Sequence, residues 1–168
     1  MKIILLIWTL CFSYSVDFKK SPILKPNEGV GDITIGCSSL KDVQNAFGKK
    51  KIEKRWHKST EFQFFGKFEY YLEYENIGLF STLTNGRNRK IVEKIILNSP
   101  NHCKTQNGFG VGSTYQETIK ELGFANHKYI ESSAKVSKRR ILLQYNNMDI
   151  YFDNSDSVKA KVEEIIIG

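Results

Sequence analysis

The chain uses one helix-bounding device twice. Residues 35–48 read IGCSSLKDVQNAFG and residues 111–123 read VGSTYQETIKELG. Ser39 and Thr114, 75 positions apart, stand where an N-cap belongs, and each is followed three positions on by an acid, Asp42 and Glu117. A short hydroxyl side chain can accept from the backbone N–H three residues ahead while the acid reaches back to the cap N–H, although Asp is a weaker partner there than Glu. Each segment closes on an apolar residue and a glycine, Phe47-Gly48 and Leu122-Gly123, which suits a left-handed C-terminal cap. An extended apolar-glycine element precedes each helix, DITIG at 32–36 and GFGVG at 108–112.

The echo continues downstream. LEYENIGLF at 72–80 matches LQYNNMDIY at 143–151, and VEKIIL at 92–97 matches VEEIII at 162–167. Matches in one order with small drifts in loop length are the mark of a tandem duplication, here of a unit of about 70 residues. Between helix and strands each unit carries a basic variable loop. Phe68, Tyr70, Leu72 and Tyr74 alternate with Glu69, Glu73 and Glu75, as on a half-buried strand, and Ile141, Leu143 and Tyr145 alternate with Leu142, Gln144 and Asn146. ENIG and NNMD mark turns between strands. A sheet with one polar face must cover the other, and the capped helix is the available cover. The expected fold class is therefore α+β: two tandem repeats, each a short capped helix packed on an antiparallel β-sheet, at residues 31–100 and 101–168.

Ahead of these lie an expected signal peptide, residues 1–15, and a linker, residues 16–30. MKIILLIWTLCFSYS holds one lysine and then an apolar run too short to span a bilayer, and Ser13 and Ser15 supply the small residues of a cleavage site after Ser15. Cys11 follows Leu10, where a lipoprotein signal wants a small residue. The reading is secreted or periplasmic. That compartment permits a disulfide between Cys37 and Cys103, closing a loop of about 65 residues and contributing on the order of 4 kcal/mol if unstrained. Two free thiols are the alternative.

The chain carries a formal charge of +7, with basic clusters at 49–58 (KKKIEKRWHK), 86–90 (GRNRK) and 135–140 (KVSKRR). In an exported protein such clusters face acidic proteins, lipid headgroups or polysaccharide rather than nucleic acid. Catalytic signatures are lacking. His57, His102 and His127 have no metal-ligand spacing, no nucleophile elbow or phosphate loop occurs, and the glycines of 107–113 already belong to the strand-to-helix turn. No catalytic residue, metal or cofactor is expected. Strand parity turns Phe65, Tyr71, Phe80, Leu142 and Tyr151 the same way as Glu69, Glu73 and Gln144, placing aromatics among charges as at a protein-binding hot spot. With Trp56 and Arg139 from the basic loops, these seven form the expected partner-binding set.

The apolar-Gly, Ser/Thr, helix, apolar-Gly, strand-meander pattern of 35–48 and 111–123 resembles the β-lactamase-inhibitor-protein fold. Its single-unit relatives include the BamE-type lipoproteins of the barrel-assembly machine. The resemblance spans nearly the whole chain after the signal peptide. It implies a helix-backed sheet whose open face and loops grip a partner protein. The chain departs from it in lacking a disulfide within each unit and an acylated cysteine. The function expected is a secreted or periplasmic non-enzymatic protein-binding module, of inhibitor or immunity type, acting by steric occlusion on an acidic extracytoplasmic protein. Its rivals are an envelope-assembly accessory in peripheral membrane contact and a small hydrolase.

Overall fold

Strand-forming residues dominate wherever the chain is ordered into elements, and the helices are short. The computed structural model describes residues 21–56, 68–84, 91–132 and 139–168. In chain order the elements are β1 (Leu24–Lys25), β2 (Gly29–Val30), β3 (Ile33–Thr34), α1 (Leu40–Phe47), β4 (Glu53–Trp56), β5 (Phe68–Tyr74), β6 (Gly78–Thr84), β7 (Lys94–Asn98), α2 (Tyr115–Leu122), β8 (His127–Ser132), β9 (Arg139–Tyr145), β10 (Met148–Phe152) and β11 (Val162–Ile167). Strands β1 to β3 pair as a small antiparallel sheet. The other eight form one sheet in the order β4-β5-β6-β7-β11-β10-β9-β8. All of its neighbours pair antiparallel.

This overturns the expected α+β class of two helix-backed repeats. Among the described residues the two helices have eight residues each, set against an eight-stranded and a three-stranded sheet. An eight-residue helix is about 12 Å long, whereas eight strands span about 34 Å, so the sheets and not the helices set the class. Leu24 and Val30, within the stretch expected to be a linker, are buried in the core instead. Edge strands β4 and β8 lie in the stretches between helix and strands where loop is expected. β4 reads EKRW, all of it exposed, and every residue of β8 through Ile130 is exposed too, so neither carries the half-buried alternation that marks a strand.

The helix boundaries follow from their caps. The Ser39 N–H donates to Asp42 at 2.7 Å and the Asp42 N–H to the Ser39 hydroxyl at 3.2 Å. Thr114 and Glu117 make the same reciprocal pair at 2.7 and 3.2 Å. Gly48 and Gly123 end the helices at φ +109° and +75°, but with ψ of 155° and −168°. The expected left-handed caps are thus extended turns that only glycine enters without strain. A tyrosine from the sheet holds each end: the Tyr74 hydroxyl donates to the Gly48 carbonyl at 2.6 Å, and Tyr145 to that of Gly123 at 3.0 Å.

Under the helices, Leu40, Val43, Leu72, Phe80, Ile95, Leu97, Ile150 and Ile165 are all fully buried. Phe47 stacks on Phe80 with ring centroids 5.3 Å apart, and Tyr115 packs against Phe152 at 5.5 Å. These contacts define the helix side of the eight-stranded sheet. The opposite face is the subject of the site.

Candidate partner-binding face

Alternation along each strand and register between strands together decide what the outer face displays. Leu72 sits opposite Phe80 and belongs to the helix side, so Tyr71 and Glu73 turn outward. From Glu73 one cross-strand row can be followed: Glu73 opposite Leu79, Leu79 opposite Ile96, Ile96 opposite Ile166, and Ile166 opposite Asp149. Three apolar side chains in a line thus have a carboxylate at each end. Leu79, Ile96 and Ile166 are all half-buried, while Ile95, Leu97, Ile165 and Ile167 beside them in sequence are buried on the helix side. A neighbouring row runs Glu53, Tyr71, Ser81, Lys94, and on the other side another runs Asn98, Glu164, Tyr151, Leu142, Tyr129.

The tyrosines are braced by arginines. The Arg55 guanidinium lies 5.2 Å from the Tyr71 ring and that of Arg140 4.2 Å from Tyr151, both within cation–π range. Arg55 also pairs with Glu69 at 2.5 Å; Glu69 itself is buried. The Arg140 Nε is 3.6 Å from Glu131, too long for a hydrogen bond, and is buried without a hydrogen-bond partner. Burial pushes the carboxyls of Asp149 and Glu164 above their ordinary values, and the Tyr151 phenol as well. Desolvation disfavours the ionised form of each. The Gln144 side chain, donating to Asp149, and Arg140, beside Glu164, work in the other direction. A groove of about 420 Å³ opens over this face where Glu73, Leu79, Ile96 and Glu164 meet the 75–78 turn and the 98–101 loop. A second groove, about 480 Å³, lies against α2, where Glu121 already accepts from Thr105 and Asn107.

The structure divides the seven expected contact residues. Tyr71 and Tyr151 lie on the outer face and are half-buried. Leu142 turns outward too but is only 4% exposed, flanked in register by Tyr129 and Tyr151, so it supports the face rather than offering contact area. Phe80 is misassigned: it faces α1 and is fully buried. Trp56 is 46% exposed but pairs with Phe68 on the helix-side parity, its ring 4.5 Å from the Phe68 ring. Arg139 shares the parity of Ile141 and is likewise off the outer face. Phe65, like His57 and the N-terminal 20 residues, lies outside the described residues. The expected disulfide is absent. Cys37 is an exposed free thiol, whereas Cys103 is buried, donates to the Ile77 carbonyl at 3.3 Å, and has its thiol pushed up to about 12 by burial.

Sequence reasoning missed Leu79, Ile96, Ile166, Asp149, Glu164 and Arg140. The signal for two of them was present. IIL at 95–97 and III at 165–167 are runs of three apolar residues, and on a pleated strand the middle one must face opposite its neighbours. Charge is distributed unevenly as well. The described outer face carries Glu53, Glu69, Glu73, Glu131, Asp149 and Glu164 against Arg55, Lys94 and Arg140. The exposed lysines of the first basic cluster, Lys49 to Lys51, precede β4, and Lys54 has the helix-side parity of Tyr70. The described basic cluster that suggested an acidic partner is therefore not part of this face. Among the described residues no group of histidines, cysteines and carboxylates has a metal-binding arrangement. No family model, curated protein or solved structure matches the chain.

Proposed function

We propose that this chain is an exported, non-enzymatic protein-binding module that acts by steric occlusion, with the outer face of the eight-stranded sheet as its contact surface. One observation carries the reading. The row Leu79, Ile96, Ile166 is only half-buried at the middle of the sheet, with tyrosines in the rows on both sides and charges around it. Apolar area at the centre and polar groups at the rim is the anatomy of a protein–protein contact. Tyrosines held by arginines lose little side-chain freedom on binding, which favours their use as anchors. A sheet about 34 Å across is wide enough for a partner footprint of about 800 Å².

The test uses affinity capture on secreted and envelope extracts with three baits: wild type, Ile96→Asp, and Tyr71→Ser with Tyr151→Ser. A stoichiometric partner retained by wild type and lost by both variants, each still folded by thermal unfolding, is the expected result. Retention unchanged in folded variants would remove the outer face from the function. Export is tested separately: N-terminal sequencing of protein recovered outside the cytoplasm should begin at Val16, and an intact Met1 would overturn that part.

A further inference from the structure

The partner's chemistry can be read from the ends of the apolar row. We infer that the outer face takes a protein surface whose apolar patch is bordered on both sides by lysine or arginine, a basic-rimmed partner rather than an acidic one. The inference rests on the outer face being the contact surface.

Three carboxylates border the strip: Glu73 at one end, and Asp149 with Glu164 at the other. Around the strip the described face carries six carboxylates against three cations, Arg55, Lys94 and Arg140. Arg55 pairs with Glu69 and braces Tyr71, while Arg140 lies over Tyr151 and acts on both Glu131 and Glu164. These cations offset only part of the negative charge, and what the strip offers a newcomer is apolar area between negative ends. Glu73 and Asp149 are four strand spacings apart, about 19 Å, and the apolar part covers about 10 Å of that distance. Asp149 and Glu164 are already partly desolvated, which their raised carboxyls reflect, so a cation docking there offsets a cost the free protein carries. A small polycation would meet the charges but leave Leu79, Ile96 and Ile166 wet, and an acidic surface would bring like charges together at a cost in specificity and on-rate. A protein surface with apolar centre and basic flanks satisfies both features.

The test titrates the ¹⁵N-labelled protein with two synthetic cyclic hairpin peptides that share one apolar centre of Val, Ile and Leu. One has lysines flanking that centre and the other glutamates. The lysine peptide should shift the amides of Leu79, Ile96 and Ile166, more weakly as salt rises, and the glutamate peptide should not. The isosteric double variant Glu73→Gln, Asp149→Asn, its fold verified by its own spectrum, should weaken the lysine peptide about tenfold, as for two surface ion pairs. Equal shifts from both peptides at this face would overturn the basic-partner inference and leave the contact surface standing. Stronger binding of the glutamate peptide would do the same. No shift at the face with either peptide, or shifts confined to the helix side, would overturn both. Sedimentation showing a dimer that the double variant dissociates would assign the face to a second copy of this chain and overturn the inference.

Discussion

Ile95 and Ile96 are neighbours in one strand, as are Ile165 and Ile166, yet the structure uses them in opposite ways. Ile95 and Ile165 are fully buried under the helices, whereas Ile96 and Ile166 are only half-buried on the other face. Composition is the same on both sides of the sheet at these positions, so parity alone decides which isoleucine holds the fold and which is available to a partner. The helix side is closed by stacked rings and fully buried aliphatics. The outer side is closed only in part, by three tyrosines, two arginines, a lysine and six carboxylates. A protein that needed the sheet only as a core would put polar residues at 79, 96 and 166.

The largest expected effect tests the closed face. Phe80→Ala should destabilise by about 3–5 kcal/mol, the usual range for removing a buried aromatic, because Phe80 fills the space under Phe47 and Tyr74. Chemical denaturation measures it. A loss below about 1 kcal/mol, the size typical of surface sites, would put Phe80 back on the outer face and break the comparison.

Cap substitutions come next and ask whether the two helices matter equally. Ser39→Ala and Thr114→Ala should each cost about 1 kcal/mol. α1 buries Leu40 and Val43, whereas α2 fully buries only Thr118. Melting after the α1 substitution should therefore be global, and hydrogen exchange after the α2 substitution should show local fraying over 115–122. Global exchange in both would mean α2 is as deeply integrated as α1.

Acidity separates the faces by sign. The cap N–H groups of Ser39 and Thr114 hold Asp42 and Glu117 below their ordinary 3.8 and 4.5. Their stabilisation is complete above those values and is lost as pH falls through the lower folded-state values. On the outer face burial raises Asp149 and Glu164, so the folded state holds their protons more tightly than the unfolded chain. Stability there falls as pH rises from the ordinary values through the raised ones. Acidification from neutrality should first stabilise the protein and then, below about 4, destabilise it. Asp149→Asn with Glu164→Gln should flatten the upper limb and leave the lower. An upper limb unchanged in that variant would show that other groups produce it.

How much of this was legible in the sequence follows the same division. The caps at Ser39 and Thr114 were readable because a capping box is local: three residues and two hydrogen bonds settle it. The hairpins at Asn76 and Asn146 announced themselves through turn chemistry. The fold class was not legible, because the pairing of β7 with β11 joins residues about 70 positions apart and no local pattern encodes it. Edge strands β4 and β8 were hidden by their polarity, as edges commonly are. Within the site, Tyr71 and Tyr151 followed from alternation, but Phe80 was grouped with them although alternation continued from Leu72 puts it on the helix side, where it lies opposite Leu72. Arg140 was passed over for Arg139, one position away, because a charge cluster has no parity until a strand gives it one.

Thiol chemistry distinguishes buried from exposed without touching the fold. In native protein Cys37 should react with an alkylating reagent within minutes, while Cys103, buried and with its thiol raised to about 12, should react only on unfolding. Mass spectrometry gives the count. Two rapid additions would mean that the region around Ile77 and Asn101, which holds Cys103, opens readily.

The smallest effect is the most informative about the outer face. Ile96→Thr keeps the β-branched shape, and with it the strand preference, but places a hydroxyl at the centre of the apolar row. If that row is solvent-facing in the free protein, water satisfies the hydroxyl and the stability change stays within about 0.5 kcal/mol. The same substitution at Ile95 buries the hydroxyl in the core and should cost about 1–3 kcal/mol, the penalty for an unsatisfied buried polar group. Adjacent residues, one chemistry and a several-fold difference in cost would show that the two faces are thermodynamically distinct. Equal costs would mean that the outer row is already covered in the free protein, and a partner would then have to displace that cover before it could bind.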